Sequence, residues 1–178
     1  MPGQGAELDE TYGGIGIVGM EYTERSANFS PCRTYRYALW RRWGRGDYAM
    51  FIGLNPSTAD EKSDDPTIRR CVGFAKSWGY GALCMANLFA YRATDPTEMK
   101  RAIDPIGVEN DFRLIELAKG AAVVVAAWGT HGEHKRRDQS VRLLVPNLQY
   151  LRLTKDGHPS HPLYLPADLQ PQPWLQYD

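Results

Sequence analysis

The chain has 178 residues, 43% of them hydrophobic, and its 21 basic residues are balanced by 21 acidic ones. That length points to one domain, and the neutral balance argues against a strongly basic nucleic-acid binder, although a local basic face fits inside a neutral total. Three widely spaced cysteines, Cys32, Cys71 and Cys84, give neither a disulfide framework nor a metal-ligand pattern. There is no apolar run of about 18 residues for a membrane span and no basic-then-apolar leader, so a reducing, cytosolic setting is the expectation.

In chain order, residues 1–12 are polar and glycine-bearing and read as a flexible N-terminus; residues 13–178 read as a single α/β domain. "GIGIVGMEY" and "RTYRYALWRRW" read as an N-terminal β-hairpin. A turn at Gly44, Gly46 and Asp47 leads into the buried strand "YAMFIGL". "DPTIRRCVGFAKSWG" is a helix, with Asp65 as N-cap, Pro66 in the first turn and Gly79 at the stop. "ALCMANLF" is a second apolar strand. "GVENDFRLIELAKG" is a helix with Val108, Phe112, Ile115 and Ala118 on its apolar face. "AAVVVAAWG" is a third strand, "RRDQSVRLLV" a shorter helix ended by Pro146, and "LQYLRLT" a fourth strand before a proline-rich tail. Four apolar strands separated by helices predict a three-layer α/β/α fold around a mostly parallel four-stranded sheet. Ligands of such sheets bind beyond the carboxyl ends of the strands.

Those ends read "GLNPS", "NLFAYRATDP", "WGTHGEH" and, after a loop, "GHPSHPLYL". They bring forward Asn55, Asn87 and a histidine, either His158 or His161. These groups carry no permanent charge and suit a neutral polar ligand such as a nucleobase edge. A hydrolase would use Asn55 to orient water and the histidine to donate to a leaving group. The plainer readings are a turn residue at Asn55 and a loop tie at Asn87. Two other motifs are set aside. "GIGIVG" matches a dinucleotide-binding pattern but leads into another strand rather than a helix. "HGEH" lacks a third ligand at useful spacing for a metal. Neither a metal nor a cofactor is expected.

The order Gly-x-Asn-Pro, a strand ending in Asn, a strand ending in Trp-Gly, then His-Pro resembles the uracil-DNA glycosylase superfamily, nearest its mismatch-specific branch. "GLNPSTAD", "DPTIRRC", "NLFAYRATDP" and "HPLYL" look, more closely, like the bacterial and phage family known as domain of unknown function 1643. The superfamily resemblance implies a DNA glycosylase acting in DNA repair or modification. Carried onto these positions, it implies that Asn55 positions water and that Asn87 reads the base. His161, favoured by "HPL", or His158, favoured by "HPS", serves the leaving group. Gly53, Pro56 and Ser57 border the base, and Leu163 stands near the wedge position. The superfamily's most active branch has Asp in place of Asn55 and Tyr in place of Ser57. An acid of the "STADEKSDDPT" loop, Asp64 or Asp65, is therefore expected to supply the missing charge, and Ser57 to admit a larger or modified base. Arg69, Arg70, Arg92, Lys135, Arg136 and Arg137 are the candidate phosphate contacts.

Three functions follow as expectations. The first is hydrolysis of the N-glycosidic bond of a damaged or modified base in DNA. The second is a non-catalytic module that binds DNA, a nucleobase or a nucleotide. The third is a hydrolase of free nucleosides or nucleotides, which needs no basic track and gives a salt slope near zero.

Overall fold

In the computed structural model, which describes residues 21–175, seven strands form one mixed sheet. They are β1 (Glu24–Phe29), β2 (Arg36–Arg42), β3 (Tyr48–Gly53), β4 (Ala82–Asn87), β5 (Val123–Ala126), β6 (Leu148–Tyr150) and β7 (Gln172–Pro173). Their spatial order is β1-β2-β4-β3-β5-β6-β7. Pairing is parallel from β4 through β3 and β5 to β6, and antiparallel at both edges. The protein is thus α/β, with a sheet of seven strands rather than four. Of the three extra strands, β2 is the expected hairpin strand, which joins the sheet by antiparallel pairing with β4, while β1 and β7 carry no apolar signature. β1 is mostly solvent-facing, and β7 is two exposed residues long. The expected first strand, "GIGIVGMEY", lies almost wholly outside the described residues, as do the flexible-terminus assignment and the "GIGIVG" motif. β1, closer in sequence, is the strand that pairs with β2.

Four α-helices connect the strands: α1 (Pro66–Ser77), α2 (Pro96–Arg101), α3 (Asn110–Gly120) and α4 (Arg137–Leu144). α1 begins as its sequence dictates: Asp65 accepts a hydrogen bond from the Ile68 N–H at 2.8 Å, and Pro66 occupies the first turn. Strand alternation sends side chains to two cores. Met50, Ile52, Cys84, Ala86, Val124 and Ala126 pack on one face with Leu114 of α3 and Val141 of α4. Ala49, Phe51, Leu83, Met85, Val123 and Val125 pack on the other with Ile68, Val72 and Phe74 of α1. Helices therefore cover both faces. α3 corrects the predicted apolar face. Val108 precedes the helix and is exposed, as is Phe112, while Asn110 and Leu114 are the residues of the helix that are buried. The reason is polar: the Asn110 side-chain amide donates to the carbonyls of Asn87 and Leu88, 3.0 Å each, and that bond sets the helix's rotation.

β3 lies between β4 and β5, so the chain builds to one side of β3 and then crosses to the other. Such a reversal leaves a crevice beyond the carboxyl ends of the strands.

Candidate functional site

A cleft of about 420 Å³ opens there. The end of β3 contributes Gly53 and the turn after it Leu54 and Asn55; β4 contributes Asn87; the turn after β5 contributes Trp128 and Gly129. Ser57 and Asp65, both from the loop between β3 and α1, and His161 from the C-terminal segment also line the wall, as does Arg36, the first residue of β2. Thus Asn55, Asn87, His161, Asp65, Gly53 and Ser57 are brought together, from positions up to 108 residues apart (161 − 53).

Each amide is oriented by the protein. Asn55 donates from Nδ2 to the carbonyls of Ala93 (2.8 Å) and Pro56 (3.1 Å). Two carbonyl acceptors leave only the NH2 group able to face them, so Oδ1 is the uncommitted atom and an acceptor. Asn87 is 2% exposed, and its Oδ1 accepts from Arg36 Nη2 at 3.4 Å, which leaves its Nδ2 as the donor for the cleft. Gly53 is the register partner of Asn87. A Cβ on Gly53 would come within 2.9 Å of Asn87 Nδ2 and 2.8 Å of Met85 Cε, so glycine is required here to leave the amide its place. Pro56 is buried and acts through its carbonyl, which also accepts from the Ala93 N–H at 3.0 Å.

His161 sits at the rim. It caps a single 3-10 turn (Pro162–Tyr164), where Nδ1 accepts from the Leu163 N–H at 3.3 Å. That bond puts the ring proton of the neutral form on Nε2. The ring edge is open to solvent, but the surrounding protein is dense enough that desolvation holds its pKa below the usual value, against the opposing charge of Asp65. The segment is anchored on three sides: Gly129 N–H donates to Pro159 (2.8 Å), Ser160 N–H donates to Arg152 (2.8 Å), and Arg70 donates to the Leu165 carbonyl.

The acidic loop resolves into distinct roles. Asp64 pairs with Arg41, whose side chain is fully buried, at 2.7 Å, and accepts from the Tyr22 hydroxyl at 2.7 Å. Glu61 pairs with Arg33, and Asp60 closes its own turn by accepting from the N–H groups of Lys62 and Ser63. Asp65 is the acid of this loop that lines the cleft. One of its oxygens caps α1, and the other is uncommitted.

Other expected site residues lie elsewhere. His158, the alternative to His161, contacts Glu133 at 3.3 Å and is not on the cleft wall. Asp64 is not on the cleft wall and is held by Arg41. Leu163 is not on the cleft wall and contributes the backbone N–H that fixes His161. Arg137 is corrected from a phosphate contact: it is 3% exposed, pairs with Asp111, and donates to the Leu88 carbonyl. Arg70 is likewise engaged, at Leu165 and over the Phe74 ring. Arg69, Lys135 and Arg136 are exposed; Arg136 holds Gln139. Arg92 donates to the Arg33 carbonyl and stacks on Phe29, along a groove that shares Ser57, Ala93 and Thr94 with the cleft.

Among the ionisable residues that line the cleft, sequence reasoning missed Arg36 and His131. Arg36 was hidden because a buried arginine leaves no periodic trace in an aromatic-rich strand. His131 belongs to "HGEH", read above only as a failed metal motif; it lines the cleft and its Nδ1 lies 2.9 Å from Lys100 Nζ. No group of three or more His, Cys, Asp or Glu able to hold a metal ion occurs among the described residues, and no described helix is long and apolar enough to cross a membrane.

The fold and cleft define an α/β protein with a polar cleft at the switch point of its sheet. The family described as "Protein of unknown function (DUF1643)" matches residues 36–163, and the chain belongs to it. No curated protein and no solved structure gives a match.

Proposed function

We propose that the cleft binds a nucleobase carried by DNA and hydrolyses its N-glycosidic bond, in a fold of the three-layer uracil-DNA-glycosylase kind. The observation that carries this reading is the convergence of Asn55, Asn87, His161 and Asp65 on one cleft, each with an uncommitted polar atom of the kind the reaction needs. The base is flipped from the stack, at a cost of a few kcal/mol. Asn87 Nδ2 donates to a ring carbonyl. Asn55 Oδ1 and the free Asp65 oxygen accept from a water placed under the sugar. As the sugar carbon–nitrogen bond breaks, its electron pair leaves with the base. His161 Nε2–H donates to the base oxygen where that charge collects. Asp65 balances the positive charge on the sugar, and the attacking water forms the new carbon–oxygen bond while losing its proton to Asp65.

Release of free base from duplexes and single strands carrying damaged or 5-substituted pyrimidines, followed chromatographically, tests this. His161→Ala is expected to lower the rate by about 10²–10³, the scale of one lost donor to a developing anion. A folded protein that releases no base from any member of the panel would sink the reading.

One observation favours a second reading, hydrolysis of a free nucleoside or nucleotide. Two of the six basic residues put forward for phosphates, Arg70 and Arg137, are engaged inside the protein. A slope near zero of log affinity against log salt selects this second reading, and a steep negative slope selects DNA.

A further inference from the structure

Arg36, Arg41 and Arg137 are buried arginines of this fold. Arg41 has Asp64 and Arg137 has Asp111 within ion-pair distance. Arg36, 2% exposed, has no carboxylate within that distance among the described residues. Its guanidinium donates to the Ala59 carbonyl at 2.7 Å and to Asn87 Oδ1 at 3.4 Å, and its Nε is buried without a partner. A buried charge left this way is costly, and a compensating charge offsets that cost. Arg36 differs from the other two in a second respect: it lines the cleft, where a ligand can provide that compensation.

We propose that Arg36 is the resident cation of the cleft and makes it selective for nucleobases released as anions, above all keto-pyrimidines made acidic by an electron-withdrawing substituent. This rests on the nucleobase reading above. Arg36 acts partly through Asn87. By occupying Oδ1 it turns Nδ2 to the ligand, and the positive charge behind the amide strengthens that donor. It is therefore a positioning residue as well as an electrostatic one. The cleft then holds two fixed charges on separate elements, Arg36 at the start of β2 and Asp65 at the head of α1. Glycosidic cleavage separates charge in the same sense, negative on the base and positive on the sugar. Ser57 on the cleft wall leaves room for the ring substituent.

The charges acting on Arg36 are mixed. Burial is the largest influence and pulls its pKa down to about 10; Asp65 favours the charged form, while Arg92 and Arg41 oppose it. The nearby Cys84 thiol is pushed far up by burial and stays neutral. His161 and His131 share the cleft. The cation therefore persists across neutral pH.

The test is calorimetric binding of uracil, 5-fluorouracil and 5-nitrouracil, bases of increasing N–H acidity, to the full chain between pH 6 and 9. The wild type is expected to bind the ionised form of each base about tenfold more tightly than its neutral form, the effect of one nearby opposite charge. Affinity then rises with pH, beginning at a lower pH for the more acidic bases. Arg36→Gln is expected to flatten that rise, and Arg36→Lys to restore part of it. Wild-type binding with no preference for the ionised form overturns the role of Arg36 and leaves the nucleobase site standing. An unchanged preference in folded Arg36→Gln does the same. No binding of any base by the wild type removes both. Because the wild type alone decides the preference, the test survives a variant that fails to fold.

Discussion

The most informative single residue is Asp65, because it does two separable things. One oxygen caps α1, the other is uncommitted, and the residue lines the cleft. Asp65→Asn keeps a competent cap and removes the charge, so activity is expected to fall at least about tenfold with stability nearly unchanged. Asp65→Ala removes both and is expected to cost about 1 kcal/mol in addition, read by urea denaturation. Equal activity in wild type and Asp65→Asn would show that the acid serves only the helix. The sequence named the acidic loop that reaches the cleft but could not show which acid lines it, because that depends on which arginines reach the others: Arg41 claims Asp64, and Arg33 claims Glu61. The cysteines offer a check unconnected with the cleft. Cys32 is exposed, and hydrogen bonding with Ser30, then Thr34, stabilises its thiolate and brings its pKa down to about 7. Burial pushes Cys71 and Cys84 far up. Thiolate is the reactive form, so alkylation with iodoacetamide is expected to rise through a midpoint near pH 7 and to label Cys32 alone, as mass spectrometry would show. Labelling of Cys71 or Cys84 in the folded protein contradicts the packing described.

Among elements, the loop between β3 and α1 decides how the cleft is built. It is rich in acids, yet arginines from β1, β2 and the β1–β2 turn hold it. Arg25 donates to the Lys62 carbonyl, Arg33 to Glu61, Arg36 to the Ala59 carbonyl, and Arg41 to Asp64 and the Ser63 carbonyl. Removing Asp64 leaves the fully buried Arg41 side chain without its counter-charge, so Asp64→Ala is expected to destabilise the fold by about 3–5 kcal/mol. A loss below about 1 kcal/mol in urea denaturation would show that the pair is not what holds the loop. The central strands and α1 were legible because apolar runs and cap residues are local signals. β1, α2 and β7 were not: a solvent-facing edge strand, a six-residue helix and a two-residue strand carry too few apolar positions to show a period. α3 was found but rotated, because Val108 and Phe112 suggested an apolar face while buried Asn110 set the true one. The site was legible where a strand end announces it, at Asn55 and Asn87. It was illegible where a cation reaches it from β2, at Arg36, or where a short helical turn after β5 brings a side chain to the cleft, at His131.

For the whole molecule, topology makes the site. Crossing from β4 over β3 to β5 opens the crevice, and the proline-rich tail returns across it to deliver His161. Membership of the family over residues 36–163 takes in every cleft residue, from Arg36 to His161. The central claim is that this cleft cuts a glycosidic bond. Chromatographic release of free base from oligonucleotides carrying 5-substituted uracils tests it most directly, with wild type, Asp65→Asn and His161→Ala run in parallel. Base release by the wild type is expected, at least about tenfold slower with Asp65→Asn and about 10²–10³ slower with His161→Ala. Release at the wild-type rate by both variants, or none by the folded wild type, would contradict it.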